Sequence, residues 1–510
     1  MLSVSVASVV TYCLLIYLTT APGTDIRHYF DNLHLKVGRK RQRIFGDLGT
    51  SKTDLYPSEV KGKKLCRSSL VLGAETLSAV NPGCTNFNAR SIIPVIKMLP
   101  GIGVFGTDHL VKTIVPFLQA KGFRVEALWG LTLQDAQTTA KELSIPFWTN
   151  KVDDVLLRKD VELVFVLCPP NLHSQIAVKA LGIGKHVLCD RPAGLSQCEA
   201  LKMVLAAQYY PSLICVLSHG LRFHPAFISM KKNVAKFVGQ PKLCQCSIEM
   251  GPILGQTFNW LCDDVMGGGN VTLFGSHLID LITYLTGLRA VRVHGVTKTL
   301  TSSTNSINGT RRITSPDFAV IQIEMETGMF VSITLNNHMN KDSFCQEILL
   351  CGSNGYLKAQ GVTIKGMIHS TQNSATSGDS ANSGNVTNSE VTLFEDCTDD
   401  GDQLLVDRSG SKLKDTLSLL PRVYMTGLLK LVGALREAFN SPNNEQVWKD
   451  DTTVGLLGAG FEEGLYIQAV IEAIRRSSKE NSWVKVNVIT EEPDPNPVLT
   501  AAVRTSTISI

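Results

Sequence analysis

The stretch 161–190, "VELVFVLCPPNLHSQIAVKALGIGKHVLCD", limits the possible folds more than any other. Two apolar runs of strand length, 161–170 and 185–190, flank a helical pattern at 173–184 that stops at glycine. Neither run alternates with polar residues, so each is apolar on both faces. Such strands belong to a parallel sheet covered by helices on both sides. The same rhythm starts earlier. "GIGVFGT" (101–107) and "FRVEALWG" (123–130) read as strands. "HLVKTIVPFLQAKG" (109–122), "LQDAQTTAKELS" (133–144) and "VDDVLLRKD" (152–160) read as helices, with Pro116 a predicted kink in the first. A parallel α/β domain is therefore expected over 98–215.

Beyond about residue 215 the period changes. In "AVRVHGVT" (290–297) Val291 and Val293 alternate with Arg292 and His294, and in "MFVSITLNN" (329–337) Val331, Ile333 and Leu335 alternate with polar partners. Alternation of this kind marks an antiparallel sheet with one wetter face. Helical spacing returns at 277–287, 426–440 and 458–477. This predicts a C-terminal α/β domain over 216–490, with an open, mainly antiparallel sheet and helices on one face. Residues 368–402 are rich in Ser, Thr, Asn, Asp and Gly and are expected to form a flexible surface insertion, and 491–510 a tail.

Residues 1–97 show no sustained period and read as an irregular extension. Within it "VASVVTYCLLIYLTTAPG" (6–23) is apolar and uncharged, like a signal-peptide core or anchor, although it lacks a basic start. A signal peptide would make the protein secreted. If Met98, directly before the first regular strand, is the true start, the protein is cytoplasmic. Asn270, Asn308 and Asn385 each open an Asn-x-Thr sequon. The net charge of +4 on 510 residues does not demand nucleic acid, and "GRKRQR" (38–43) is a local basic run. Thirteen cysteines without a CxxC pair read as reduced thiols, with neither a disulfide framework nor a metal site. Cys244 and Cys246 fall on one face of a strand.

A strand, a glycine turn and a helix can cradle a diphosphate, because the helix start offers free N–H groups. In "GVFGTDHLV" (103–111) Gly106 takes the first place of the dinucleotide fingerprint, with Thr107 after it, but Asp108 and Val111 replace the next two glycines. The following strand ends in Gly130, Leu131 and Thr132, with no carboxylate for the ribose and no cation for a 2′-phosphate. From these residues alone, nucleotide binding and an empty dinucleotide-shaped domain are equally open.

The segment 161–194, with its Pro-Pro-Asn-x-His, Gly-Lys-His-Val and Asp-Arg-Pro stretches, resembles the glucose–fructose oxidoreductase and inositol 2-dehydrogenase family. "MGGGNVTLFGSHLIDLITYLTG" (266–287) resembles the family's second hallmark, a glycine run before a helix that carries a histidine. Three further stretches, "MLPGIGVFGT", "LRFHPAF" (221–227) and "NWLCDDVMGGG" (259–269), look most like the animal branch. The resemblance covers roughly 98–490. It implies a Rossmann domain that binds NAD or NADP and a second domain that closes a sugar or polyol over the nicotinamide. It further implies that Pro169, Pro170, Asn171 and His173 line the cofactor crevice, with Gly106, Thr107 and Thr132 at its phosphate and ribose end. Asp190 and Arg191 take the places of the family's Glu and Lys, Pro192 fixes the turn beside the nicotinamide, and His277 faces the substrate. The family's sheet often supports dimers, so a homo-oligomer through the second domain is expected.

Two departures bear on activity. The family's lysine helps move a proton, whereas arginine in practice stays protonated and is a poor acid or base. Leu273 also stands where active relatives carry an Asp, about one helical turn before the histidine. One hypothesis is an oxidoreductase in which His277 transfers the proton and Arg191 polarises oxygen. The other is a catalytically silent nucleotide-binding or scaffold protein. Plainer roles remain for single residues: Arg191 with Asp190 as a strand-end ion pair, His277 as a packed core residue, Asp263 and Asp264 as caps, Arg222 as a brace between domains, and Lys185 and His186 as structural.

Overall fold

The computed structural model describes residues 98–254, 258–303, 312–341, 343–369, 390–395, 421–440 and 452–492. The expected N-terminal extension lies outside them, with its apolar stretch and basic run. So do Asn308, Asn385, most of 368–402 and nearly all of 491–510.

The first sheet has six parallel strands: β1 (Gly101–Phe105), β2 (Arg124–Trp129), β3 (Trp148–Thr149), β4 (Leu163–Val166), β5 (His186–Cys189) and β6 (Cys215–Leu217). Their order is β3-β2-β1-β4-β5-β6. The strand order reverses between β1 and β4, which makes the C-terminal edge there a switch point where ligands bind. Ile102, Val104 and Phe105 of β1 and all of β4 are fully buried, as continuous apolar runs require. The connecting helices are α1 (His109–Ala120), α2 (Leu133–Glu142), α3 (Val152–Leu156), α4 (His173–Gly182) and α5 (Gln197–Tyr209). Helix α1 continues through Pro116. One face packs Ile102, Val104, Leu163 and Phe165 against α1; the other packs Phe105, Val164 and Val166 against α4 and α5.

The second sheet has nine strands. Seven are β7 (Pro241–Met250), β8 (Ala290–Lys298), β9 (Phe318–Met325), β10 (Phe330–Asn336), β11 (Phe344–Gly352), β12 (Gly355–Gln360) and β13 (Thr363–Ile368). The last two are β14 (Val391–Phe394) and β15 (Val484–Lys485). The order is β14-β13-β12-β11-β7-β10-β9-β8-β15. β10 runs parallel to β7 and the other pairs are antiparallel. Burial alternates along β9 and β10, so one face meets helices and the other is half-exposed. The covering helices are α6 (Pro225–Asn233), α7 (Ser276–Thr286), entered through one π turn at Val271–Gly275, and parts of the later helices. Cys244 and Cys246 share the inner face of β7, with their sulfurs 3.5 Å apart. β14 falls inside the segment expected to be a flexible surface insertion; four residues there complete the sheet edge through Ile364, Lys365 and Gly366.

The last three helices are α8 (Arg422–Asn440), α9 (Thr453–Leu457) and α10 (Phe461–Glu480). The sequence placed them with the second domain, but Leu428, Leu431, Leu435 and Ala438 of α8 pack on the first sheet. Phe461 and Leu465 of α10 do the same on its other face, while Ile467, Val470 and Ile474 serve the second core. A helix's period shows that it has an apolar stripe, not which sheet will cover it. Helix α8 docks on the short turn Gly220–Phe223 by glycine-to-glycine contact. A Cβ on Gly427 would stand 2.4 Å from the Gly220 carbonyl oxygen, whereas one on Gly433 meets nothing within 4 Å. Gly427→Ala is therefore expected to cost about 1–3 kcal/mol by overpacking. Gly433→Ala should stabilise by about 0.4–1 kcal/mol. Opposite shifts of the thermal midpoint would show it.

Candidate active site

The cradle lies where β1 gives way to α1. Gly106 holds φ at +136°, and its N–H donates to the Trp129 carbonyl at 2.9 Å. A Cβ there would sit 2.7 Å from the Leu167 carbonyl oxygen, so only glycine fits. Thr107 lays its methyl group against Gly130 at the end of β2. Asp108 is the residue before α1, but its side chain caps none of the helix N–H groups. One side of Asp108 is open to solvent, yet the protein packed around its carboxyl raises its pKa. His109 and the indole N–H of Trp260 draw it down, and Asp135 adds to the rise. Trp260 belongs to the second domain, so this contact crosses the crevice. Thr132 caps α2, accepting from the Asp135 N–H at 3.1 Å and donating to Asp135 Oδ2 at 2.6 Å.

The crevice wall comes from the Pro-Pro-Asn turn. Pro170 is buried and Asn171 exposed. Gly267, at φ +89°, approaches so closely that a Cβ would lie 3.1 Å from the Pro170 ring and 3.0 Å from Leu195. His173, expected to line the crevice, is buried instead. Its Nδ1 faces the Pro192 carbonyl at 2.8 Å and its Nε2 the Cys168 carbonyl at 2.7 Å. It ties the end of β4 to the turn after β5, and both ring nitrogens are engaged.

That turn carries the reactive-looking residues. Arg191 and Pro192 are joined by a cis peptide bond. Arg191 Nη1 donates to both carboxylate oxygens of Asp190, at 2.8 and 3.0 Å, and the Ser218 hydroxyl donates to the same carboxylate. Burial alone would raise the Asp190 pKa, but Arg191, His173 and Ser218 outweigh it and hold it below the usual value. The guanidinium is 8% exposed and its Nε–H has no partner.

His277 feels this cation. It is 3% exposed, neither ring nitrogen has a partner, and burial, Arg191 and His219 push its pKa well below 6.5. The His219 ring meets it edge-on at 5.4 Å, and the Tyr424 ring lies over it at 4.6 Å. Tyr424 donates its hydroxyl to Gln346 Oε1 at 2.6 Å, leaving the buried amide Nε2 unpaired. Below, Arg222 grips Asp280 with three contacts of 2.6–3.1 Å, and His219 Nδ1 lies 3.7 Å from Asp280 Oδ2. Arg222 thus braces α7 from the Gly220–Phe223 turn. Leu273 packs into the core of the second domain.

The sequence singled out Arg191, Asp190, Pro192 and His277; the first three share one turn, and the Arg191 charge is felt at the His277 ring. It missed Ser218, His219, Asp280, Gln346 and Tyr424. Asp280, three residues after His277, had a local signal in the i,i+3 spacing; Tyr424, 78 positions from Gln346, had none. Other residues have plainer roles. Asp263 caps a turn by accepting from the Val265 N–H, and Asp264 pairs with Arg475. Lys185 donates to backbone carbonyls, and His186 accepts from the Ile214 N–H. Asn270 is fully buried and donates to Asn337 at 2.9 Å, so a glycan at that sequon and this fold exclude each other.

Residues 99–217 match the model described as an oxidoreductase family with an NAD-binding Rossmann fold, and 231–358 match the GFO/IDH/MocA C-terminal domain. The chain is 38% identical over 416 residues to glucose-fructose oxidoreductase domain-containing protein 1 of Xenopus tropicalis, covering 81% of this chain and 100% of the relative. The chain belongs to the GFO/IDH/MocA oxidoreductase family. Against glucose-fructose oxidoreductase domain-containing protein 2 of Homo sapiens the identity is 40% over 410 residues, 80% of this chain and 99% of the relative. Solved structures carry the same fold. An oxidoreductase domain protein from Kribbella flavida aligns with a TM-score of 0.58 at 21% identity, covering 76% of this chain and 99% of that one. A levoglucosan dehydrogenase in complex with NADH and levoglucosan aligns at 0.58 and 16% identity, covering 76% and 100%. By family, the first domain of this GFO/IDH/MocA member is an NAD-binding Rossmann domain, and its residues fit that group. The glycine-only turn at Gly106 leaves the start of α1 open, and unpartnered polar atoms gather beside Arg191 and His277.

Proposed function

We propose that this chain binds a nicotinamide dinucleotide and a sugar or polyol, and that its oxidoreductase chemistry is severely weakened. Gly106, Thr107 and the start of α1 would hold the diphosphate, and Thr132 the adenosine side. Pro169, Pro170, Asn171 and Pro192 would wall the nicotinamide end. Bound there, the nicotinamide supplies the hydride acceptor or donor. Arg191 is tied to Asp190 and, as a poor acid or base, can only polarise an oxygen through its Nε–H. His277 is uncharged at neutral pH and can take a proton from a ligand hydroxyl. Imidazolium is opposed there, because the ring is buried, the Arg191 charge acts on it and neither ring nitrogen has a partner among the described residues. The observation that carries this reading is a buried Arg191 bound to Asp190, together with a buried His277 that has no partner on either ring nitrogen.

The test titrates the full chain with NADH and NADPH and assays a panel of polyols. Nucleotide binding is expected, with turnover about 10²–10⁴-fold below that of a dehydrogenase with a working proton-transfer group. Turnover at ordinary dehydrogenase rates would refute the weakened chemistry, and absence of nucleotide binding the whole reading. Arg191→Lys combined with Leu273→Asp is expected to raise polyol turnover by about 10²-fold.

One observation favours a wholly silent, nucleotide-binding protein. Tyr424 roofs His277, and both imidazole nitrogens are out of solvent contact. On that reading the double variant stays inactive until Tyr424→Ala opens the site. The half-exposed face of the second sheet is where a homo-oligomer would form, and a monomer in sedimentation would dispose of that contact.

A further inference from the structure

We propose that Tyr424 is a placeholder for the ligand and Gln346 a specificity-determining residue. The tyrosine hydroxyl occupies one end of the Gln346 amide, and the site opens to a polyhydroxyl ligand whose adjacent hydroxyls take both ends. The inference rests on the sugar- or polyol-binding part of the proposed function and adds which residue reads the ligand and what it reads.

Gln346 sits on a face that otherwise buries apolar side chains. It lies on the inner side of β11, in line with Ile348 and Leu350, and is 1% exposed. Its neighbour on β7 is Ile248. A buried amide is costly in such a core unless its hydrogen bonds are made. One is made here: the Tyr424 hydroxyl donates to Oε1 at 2.6 Å, while Nε2 has no partner among the described residues. The same phenol ring lies over His277 at 4.6 Å, and both imidazole nitrogens are buried and unpartnered. Closure by Tyr424 thus makes one hydrogen bond and leaves three buried polar atoms without one. Leucine at 346 and phenylalanine at 424 would fill the same space with no amide or hydroxyl to satisfy.

The unmet atoms describe what replaces the phenol. The amide offers an acceptor and, beside it in the same plane, a donor; uncharged His277 offers one of each. Two adjacent hydroxyls match the amide, one donating to Oε1 and the other accepting from Nε2. A molecule with a single hydroxyl takes over only the bond that Tyr424 already makes. Tyr424 is the third residue of α8, and helix ends open locally at less cost than their middles. Its ring can swing aside while Leu428 and Leu431, further along the helix, stay packed on the first sheet.

The test measures binding of myo-inositol and cyclohexanol to the full chain by saturation-transfer NMR, with and without NADH. Tyr424→Phe keeps the ring and removes the rival hydroxyl. It is expected to bind myo-inositol about tenfold tighter than the native chain, the worth of one hydrogen bond. Gln346→Leu should bind it about tenfold more weakly. Cyclohexanol should gain less from Tyr424→Phe, because it reaches one end of the amide only. As an independent readout, diethyl pyrocarbonate should modify His277 of the native chain far more slowly than the exposed His109, and Tyr424→Ala should bring the two rates together. A Tyr424→Phe variant that binds inositol no tighter overturns the inference, as does a Gln346→Leu variant that binds it as the native chain does. So do equal gains for the two probes, a native His277 as reactive as His109, or failure of every variant to bind inositol. Tighter inositol binding by Tyr424→Phe in a chain that takes no NADH upholds the inference and defeats the nucleotide-binding half of the proposed function.

Discussion

Asp280→Ala is expected to cost about 3–5 kcal/mol of stability, the largest loss from any single substitution argued here. The carboxylate is 1% exposed and takes three donor contacts from Arg222, which is itself buried against the Tyr284 ring at 5.5 Å. Burial opposes the charge on Arg222, but Asp280 and its hydrogen bonds more than compensate. Removing the acid leaves a guanidinium in a low-dielectric interior with its main partner gone. The loss should exceed that of an equal-sized apolar cavity, because a stranded charge is costlier than a void. Arg222→Met paired with Asp280→Leu should recover most of it, since neither charge is then stranded. Urea unfolding of the three proteins measures the difference. A single variant within 1 kcal/mol of native would show that water or a shifted side chain reaches Arg222, and that the brace between the Gly220–Phe223 turn and α7 is not energetic.

The same pair shows what local sequence could and could not disclose. The first domain was legible because a strand buried on both faces leaves an uninterrupted apolar run; 161–170 and 185–190 contain β4 and β5. Helix α5 was missed, since its apolar residues are spread around the axis and it is wedged between α4 and α10. β12 and β13 were missed as short strands next to polar sequence. In the site, Arg191 follows the apolar run of β5, and His277 lies in the first turn of the helix after the glycine run. The residues that define their chemistry arrive from elsewhere: His219 from the end of β6, Gln346 from β11, Tyr424 from α8. Which side chain roofs His277 depends on the path of α8 across two domains, and no local pattern encodes that path. Leu273 reads from sequence as a lost catalytic acid. In the fold it is also a core residue, so restoring Asp there would bury a charge as well as supply one.

His219 and His277 should make the protein acid-labile well above the range where carboxylates titrate. Burial is the largest cause of the lowered pKa of each, and their ordinary value is 6.5. Below 6.5 the unfolded chain takes up protons that the folded chain refuses, so stability falls as pH falls. The slope reaches about 1.4 kcal/mol per pH unit for each histidine. The loss continues down to the folded-state values, and charging either ring makes charging the other harder. Asp190 acts in a separate window: its lowered pKa contributes stability above 3.8 that is lost only as pH drops through its folded value. Asp108, raised by burial, has the opposite sign and regains stability as pH approaches 3.8. A melting series from pH 7.5 to 5 therefore isolates the histidines. His277→Leu should cost little at pH 7.5, because both ring nitrogens lack partners and an apolar side chain suits the site. It should also flatten the decline below 6.5. An unchanged decline in that variant would mean that His277 already carries a proton in the folded protein, and the uncharged base on which the proposed chemistry depends would be lost with it.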